Sequence, residues 1–185
     1  MKKILLSSLA VAGTVLLTGC AGGYEVSPNM VELNAKFAES KWDGKSVPKD
    51  GVCLDNDSNA GNSPSIIVGN LPTNTNKIVL SFSDKSNMSM DNGGHGVVAY
   101  RIKEGNSMAT IPSFRSETYT LPTNFESVRG HSGAQWGKTP GAFLAPCSGG
   151  RGNSYSVMIE AIHDYEGDDK KSLLLGKTNL KLGRY

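Results

Sequence analysis

The chain is poor in the residues that catalysis and metal chemistry draw on most often. It has three cysteines and three histidines in 185 residues, and no CxxC pair occurs. Scattered histidines without paired thiols supply no tetrahedral zinc set. Neither an HExxH helix nor a Gly-x-Ser-x-Gly elbow is present, so the zinc-protease and α/β-hydrolase signatures are both missing. Gly93-Gly94-His95-Gly96 is glycine-rich but lacks the strand–turn–helix setting of a phosphate loop. Asp55-Asn56-Asp57-Ser58-Asn59 alternates oxygen ligands without the glycine and distal glutamate of a calcium loop, and reads as turn-rich loop. Nothing here calls for a metal or cofactor. Charge of one sign is also lacking. The net charge of +2 is matched by Lys2 and Lys3 alone, so the rest of the chain is balanced and offers no basic stripe for nucleic acid. Aromatics make up only 7% of residues.

What is present begins with MKKILLSSLAVAGTVLLTGC. Lys2 and Lys3 form a charged leader, Ile4 to Leu17 is an apolar run, and Leu17-Thr18-Gly19-Cys20 closes it. The run is too short and wrongly flanked for a membrane-spanning helix and fits a secretory signal. Its ending resembles the lipobox of bacterial lipoproteins, in which cleavage precedes a cysteine carrying a diacylglyceryl group. That implies a signal peptide over 1–19, a lipidated Cys20, and a membrane anchor in the bacterial cell envelope. Several acyl chains, at about 0.8 kcal/mol per buried CH₂, hold a protein stably. Ala21, where an aspartate would favour the inner membrane, points to the outer one. An ordinary signal peptide with an incidental cysteine is the alternative.

About 165 residues would follow the signal, enough for one core. Residues 20–34 are small and polar and read as a tether, leaving 35–185 as a single domain. Abundant Gly, Asn, Ser and Pro separate short apolar runs: 66–68, 77–82, 96–102 and 155–162. Each is rich in β-branched residues and bounded by turn formers, so each predicts a strand. The runs at 78–82 and 97–102 are nearly continuous, as in strands buried on both faces. Residues 70–76 predict a turn. The stretch from Arg129 through Pro146 holds four glycines and two prolines and predicts a long ordered loop. Residues 168–176 predict a short helix stopped by Gly176. A lipoprotein signal implies an oxidising compartment, where Cys53 and Cys147 either pair or remain two buried thiols.

Several segments, in order, resemble the phosphatidylethanolamine-binding protein family in its bacterial, Raf-kinase-inhibitor-like branch. They are SVPKDGVCLDNDSNAGNSPSIIV at 46–68, NLPTNTNKIVLSFSD at 70–84, HGVVAYRI at 95–102 and QWGKTPGAFLAPCSGGRGNSYSVMIEAI at 135–162. The resemblance implies a mainly β (α+β) fold, with a large central sheet, a smaller sheet and few short helices. It also implies a Cys53–Cys147 disulfide. The family's pocket takes anions such as phosphate or a phospholipid head group. Carried over by position, its residues fall on Asp84, His95, Pro146, Asn153 and Tyr155. The match is partial: Gly96 stands for a tryptophan, and Asn153-Ser154-Tyr155 for His-Arg-Tyr. Two strong anion donors are thereby lost, for which His131 and Arg151 are candidate replacements.

Each residue also has a plainer reading. His95 is then a hydrogen-bonded structural histidine, Asp84 a turn cap, Tyr155 core packing, His131 an exposed loop residue and His163 a surface residue. Trp42 and Trp136 read as packing anchors. The leading expectation is a non-catalytic envelope lipoprotein that binds a small ligand or protein partner through a cleft near His95. The alternatives are a phosphate or phospholipid head-group binder and an inhibitor of a protease or kinase-like partner.

Overall fold

The computed structural model describes residues 23–53, 61–165, 167 and 171–185. The signal segment, Cys20 and the 55–59 loop lie outside them. The chain is mainly β. Among the described residues nine strands occur: β1 (Glu25–Glu32), β2 (Asn34–Phe37), β3 (Ile66–Gly69), β4 (Lys77–Asp84), β5 (Val97–Arg101), β6 (Met108–Ile111), β7 (Phe125–Arg129), β8 (Ser154–His163) and β9 (Leu173–Arg184). Among the described residues the helical content is three short 3-10 turns, Lys49–Gly51, Met88–Met90 and Ser132–Trp136. A six-stranded sheet has the order β1-β9-β8-β4-β5-β7, and a three-stranded sheet the order β2-β3-β6. The β1–β9 pair is parallel and the remaining pairs are antiparallel.

The four apolar runs became β3, β4, β5 and β8, because β-branched side chains pack well on a pleated surface. Alternation decides which residues enter the core. Ile78, Leu80 and Phe82 of β4 and Tyr155, Val157, Ile159 and Ala161 of β8 share the main core with Ile66 and Val68 of the small sheet. Burying each large side chain contributes about 1.5–3 kcal/mol. Phe82, Phe114 and Phe143 pack there with ring centroids 4.6 to 6.1 Å apart. Val79, Val97, Ala99, Ile162 and Leu174 form a second buried cluster, joined by Tyr24 and Met30. β4 is therefore buried on both faces, as its unbroken apolar run predicted.

Two expectations fail. Leu173, Leu174, Leu175 and Gly176 belong to β9, not to a helix. β9 is held between β8 and β1, and a Cβ on residue 176 would press on Leu33 and Val31, so tertiary pairing overrides the helical propensity of the leucines. The segment read as a tether contains β1, so the large sheet starts at Glu25 and not after residue 34. Being an edge strand exposed along much of its length, β1 carries polar residues that give no apolar signal.

Candidate functional site

The end of β4 places the first site residue. Asp84 lies directly across the ladder from Tyr155 of β8. Both belong to the alternating set that faces the core. His95 stands just ahead of β5 and extends the β4–β5 ladder, since its N–H donates to Phe82 O and the Phe82 N–H donates to Gly96 O, each at 3.0 Å. Its ring meets that of Tyr155 edge to face, with centroids 5.3 Å apart. The three residues thus converge because adjacent strands end together.

The segment from Arg129 to Pro146 leaves β7 at Arg129 and is irregular apart from the 3-10 turn at Ser132–Trp136. Its second half runs between two backbone segments. Leu144 N–H donates to His95 O at 2.9 Å, and Ala142 N–H donates to Thr118 O at 3.0 Å. Ala142, Phe143, Leu144 and Ala145 are all buried. In return, His95 Nδ1 bonds to Leu144 O at 2.8 Å. A carbonyl only accepts, so Nδ1 carries the proton and the neutral ring keeps a lone pair on Nε2. Burial holds the His95 pKa below its ordinary value, outweighing the raising influences of the Leu144 bond and nearby Asp84.

These residues floor a cavity of about 260 Å³. Asp84 and His95 line it and are each only 3% exposed. Asp84 Oδ1 accepts from the Ser86 N–H at 2.8 Å, and Oδ2 accepts from Asn153 Nδ2 at 2.6 Å. Asp84 is therefore both the turn cap and a cavity residue. Tyr155 lies beneath, its hydroxyl accepting from Cys147 N–H at 3.2 Å, with Ser148 and Asp84 beside it. Burial pushes its phenol up to about 12, so it stays neutral. Ser148 Oγ donates to Tyr185 O. The mouth carries Trp136, Lys138 and Arg151.

Of the six expected ligand-binding positions, Asp84, His95 and Asn153 line the cavity and Tyr155 supports it. Pro146 sits behind, its carbonyl accepting from Cys53 N–H at 3.0 Å. His131 does not line it. His131 is 7% exposed, so it is not an exposed loop residue. Its Nε2 donates to Thr139 O at 2.9 Å and its Nδ1 accepts from Gly133 N–H at 3.0 Å, capping the 3-10 turn at Ser132–Trp136. Both ring nitrogens are occupied, and burial lowers its pKa. Arg151 does reach the cavity. Trp42 is a buried anchor stacked on Phe37 at 5.8 Å. Trp136, expected to be one, is 52% exposed at the mouth instead. A tryptophan in the glycine-flanked run Gly133-Ala134-Gln135-Trp136-Gly137 has no core-facing period, and that pattern is the signal the sequence offers.

The Cys53–Cys147 disulfide is formed, with Cα atoms 5.1 Å apart, and Cys147 lines the cavity. Among the described residues no group of three or more His, Cys, Asp or Glu side chains is placed to hold a metal, and no helix is long and apolar enough to cross a membrane. No protein-family model matches the chain, and no curated protein matches it.

Proposed function

We propose that the protein is a non-catalytic ligand-binding protein of the bacterial envelope. In this reading it is anchored through a lipidated Cys20, has a fold like that of the phosphatidylethanolamine-binding proteins, and takes a small polar ligand in the cleft at His95. One observation carries the binding reading. The cavity floor is built from polar side chains whose orientations are fixed by hydrogen bonds to backbone, as with His95 on Leu144 O and Asp84 on Ser86 N–H. Above it stand an exposed indole and a guanidinium. Concave sites with a few convergent, pre-oriented polar groups are where small ligands bind. The hydroxyl of Ser148 is engaged by Tyr185 O and the phenol of Tyr155 by its neighbours, which favours holding over attack.

Arg151 at the mouth favours an acidic group on that ligand, which keeps phosphate and phospholipid head groups as a second reading. The test is two-dimensional NMR of the mature domain titrated with small amines, amino acids, carboxylates and inorganic phosphate. Saturable shifts at residues 84, 95 and 153, abolished in His95→Ala, are expected. Shifts confined to the far side of the sheet, or unaltered by the substitution, would refute a cleft at His95.

A further inference from the structure

The two ends of the cleft differ in polarity. The floor presents acceptors. His95 offers the Nε2 lone pair, because Nδ1–H is fixed on Leu144 O. Asp84 offers a carboxylate, and such a group has about four acceptor sites. Its recorded polar partners, Ser86 N–H, Asn153 Nδ2 and the Tyr155 hydroxyl, are all uncharged. Among the described residues Asp84 forms no ion pair. A carboxylate taken out of water without a counter-cation is unfavourably placed, and a cation reaching it relieves that cost. The mouth presents a donor group: the guanidinium of Arg151 has donors only.

We infer that the cleft takes a small dipolar ligand, ammonium end inward on Asp84 and His95 Nε2, acid end outward toward Arg151. A short ω-amino acid is that class. The inference rests on the binding site proposed above and adds the orientation and chemistry of its ligand. The opposite orientation would set an acid group against the Asp84 carboxylate and a ring lone pair, a like-charge contact that opposes binding. It would become tolerable only with a proton on Nε2, which the buried setting of His95 resists. Loss of the histidine and arginine implied by the resemblance at Asn153 and Ser154 fits the same polarity. Asn153 serves Asp84, and Ser154 N–H donates to Ser86 Oγ at 3.0 Å. Neither is left as a strong donor to an inward anion.

An isosteric trio of probes tests this by calorimetry on the mature domain: β-alanine, n-propylamine and propionate, with inorganic phosphate as a fourth. β-Alanine binds saturably and propionate does not. Asp84→Asn weakens β-alanine and n-propylamine by about tenfold or more, the effect of removing a charged hydrogen-bond partner. Arg151→Gln weakens β-alanine by about threefold, as for an exposed pair, and leaves n-propylamine unchanged. Because Arg151 is exposed, that variant keeps its fold even if Asp84→Asn does not. Propionate or phosphate binding that His95→Ala abolishes, with β-alanine no tighter, would overturn the polarity and leave the binding site standing. Silence from all four probes would overturn both.

Discussion

Removing the disulfide tests how the cleft wall is held. Cys53 and Cys147 are 94 residues apart, and a crosslink closing a loop of about that length stabilises by about 4–5 kcal/mol on the chain-entropy account. The native side of the balance changes little. Cys53 N–H still has Pro146 O at 3.0 Å, and Cys147 N–H still has Tyr155 Oη at 3.2 Å. The loss in a Cys53→Ala/Cys147→Ala variant therefore resides in an expanded unfolded chain. Against a total of about 5–15 kcal/mol for an ordinary domain, the variant folds but with little reserve. Its melting temperature falls by roughly 8–20 °C, at 2–4 °C per kcal/mol for a chain of this size. Guanidinium unfolding read by tryptophan fluorescence measures it, with buried Trp42 as the reporter of the core. The denaturant slope rises too, because the uncrosslinked chain exposes more surface on unfolding. Wild type unfolded in reductant should match the double variant within about 1 kcal/mol, the usual scale of unrelated mutational effects. A loss under about 1 kcal/mol with an unchanged slope would refute the assignment of the effect to the unfolded state.

Two further outcomes follow from the same region. Gly96→Ala should destabilise by about 3–5 kcal/mol, combining a strained backbone with overpacking. Gly96 has φ of +111°, and a Cβ there would overlap the Ala142 carbonyl oxygen. A variant as stable as wild type in urea would show that the loop does not pass that closely. Acid should also weaken the fold below about pH 6.5. His95 and His131 both have pKa values lowered by burial. The unfolded chain therefore binds protons first as pH falls, and stability drops until the folded values are reached. The slope is at most about 1.4 kcal/mol per pH unit for each histidine. Glu160, raised by burial, has the opposite slope. A His95→Gln/His131→Gln variant supplies the baseline that isolates the histidines, and identical profiles between pH 6.5 and 5 would contradict the account.

The parts of the fold legible in the sequence are those in which local pattern and burial agree. β3, β4, β5 and β8 are apolar, β-branched and central, so their own residues announce them. β1 and β7 are edge strands with polar, partly exposed residues, and only the neighbouring strand makes them strands. β9 is the instructive failure. Leu173-Leu174-Leu175 favours helix locally, yet the segment is clasped between β1 and β8, a fact of long-range pairing that no window of sequence contains. The site divides in the same way. Asp84, His95 and Tyr155 sit at strand ends, where the resemblance implied them and the strand pattern fixes their place. Trp136, Lys138 and Arg151 arrive on glycine-rich loops whose course is set by contacts far away in the chain, and His131 was misplaced for that reason. Its environment is made by Thr139 and Gly133 of the same loop, folded back in a way its composition does not specify.

Gly96 shows why partial resemblance was informative in its departure. At that position the resemblance implies a tryptophan, and here no side chain fits, because Ala142 and Phe143 pass directly over the α-carbon. The same passage brings Leu144 against His95, where each backbone accepts a hydrogen bond from the other residue. The glycine and the fixed tautomer of His95 are therefore one structural event. Without the close passage Nδ1 would lack its acceptor, the ring could present an N–H to the cleft, and an inward anion would be acceptable. With it, Nε2 carries the lone pair, and His95 lines the cavity together with Asp84. The loop that closes over Gly96 also carries Trp136 to the cavity. One passage of the 129–146 loop thus accounts both for the glycine at position 96 and for the tautomer of His95.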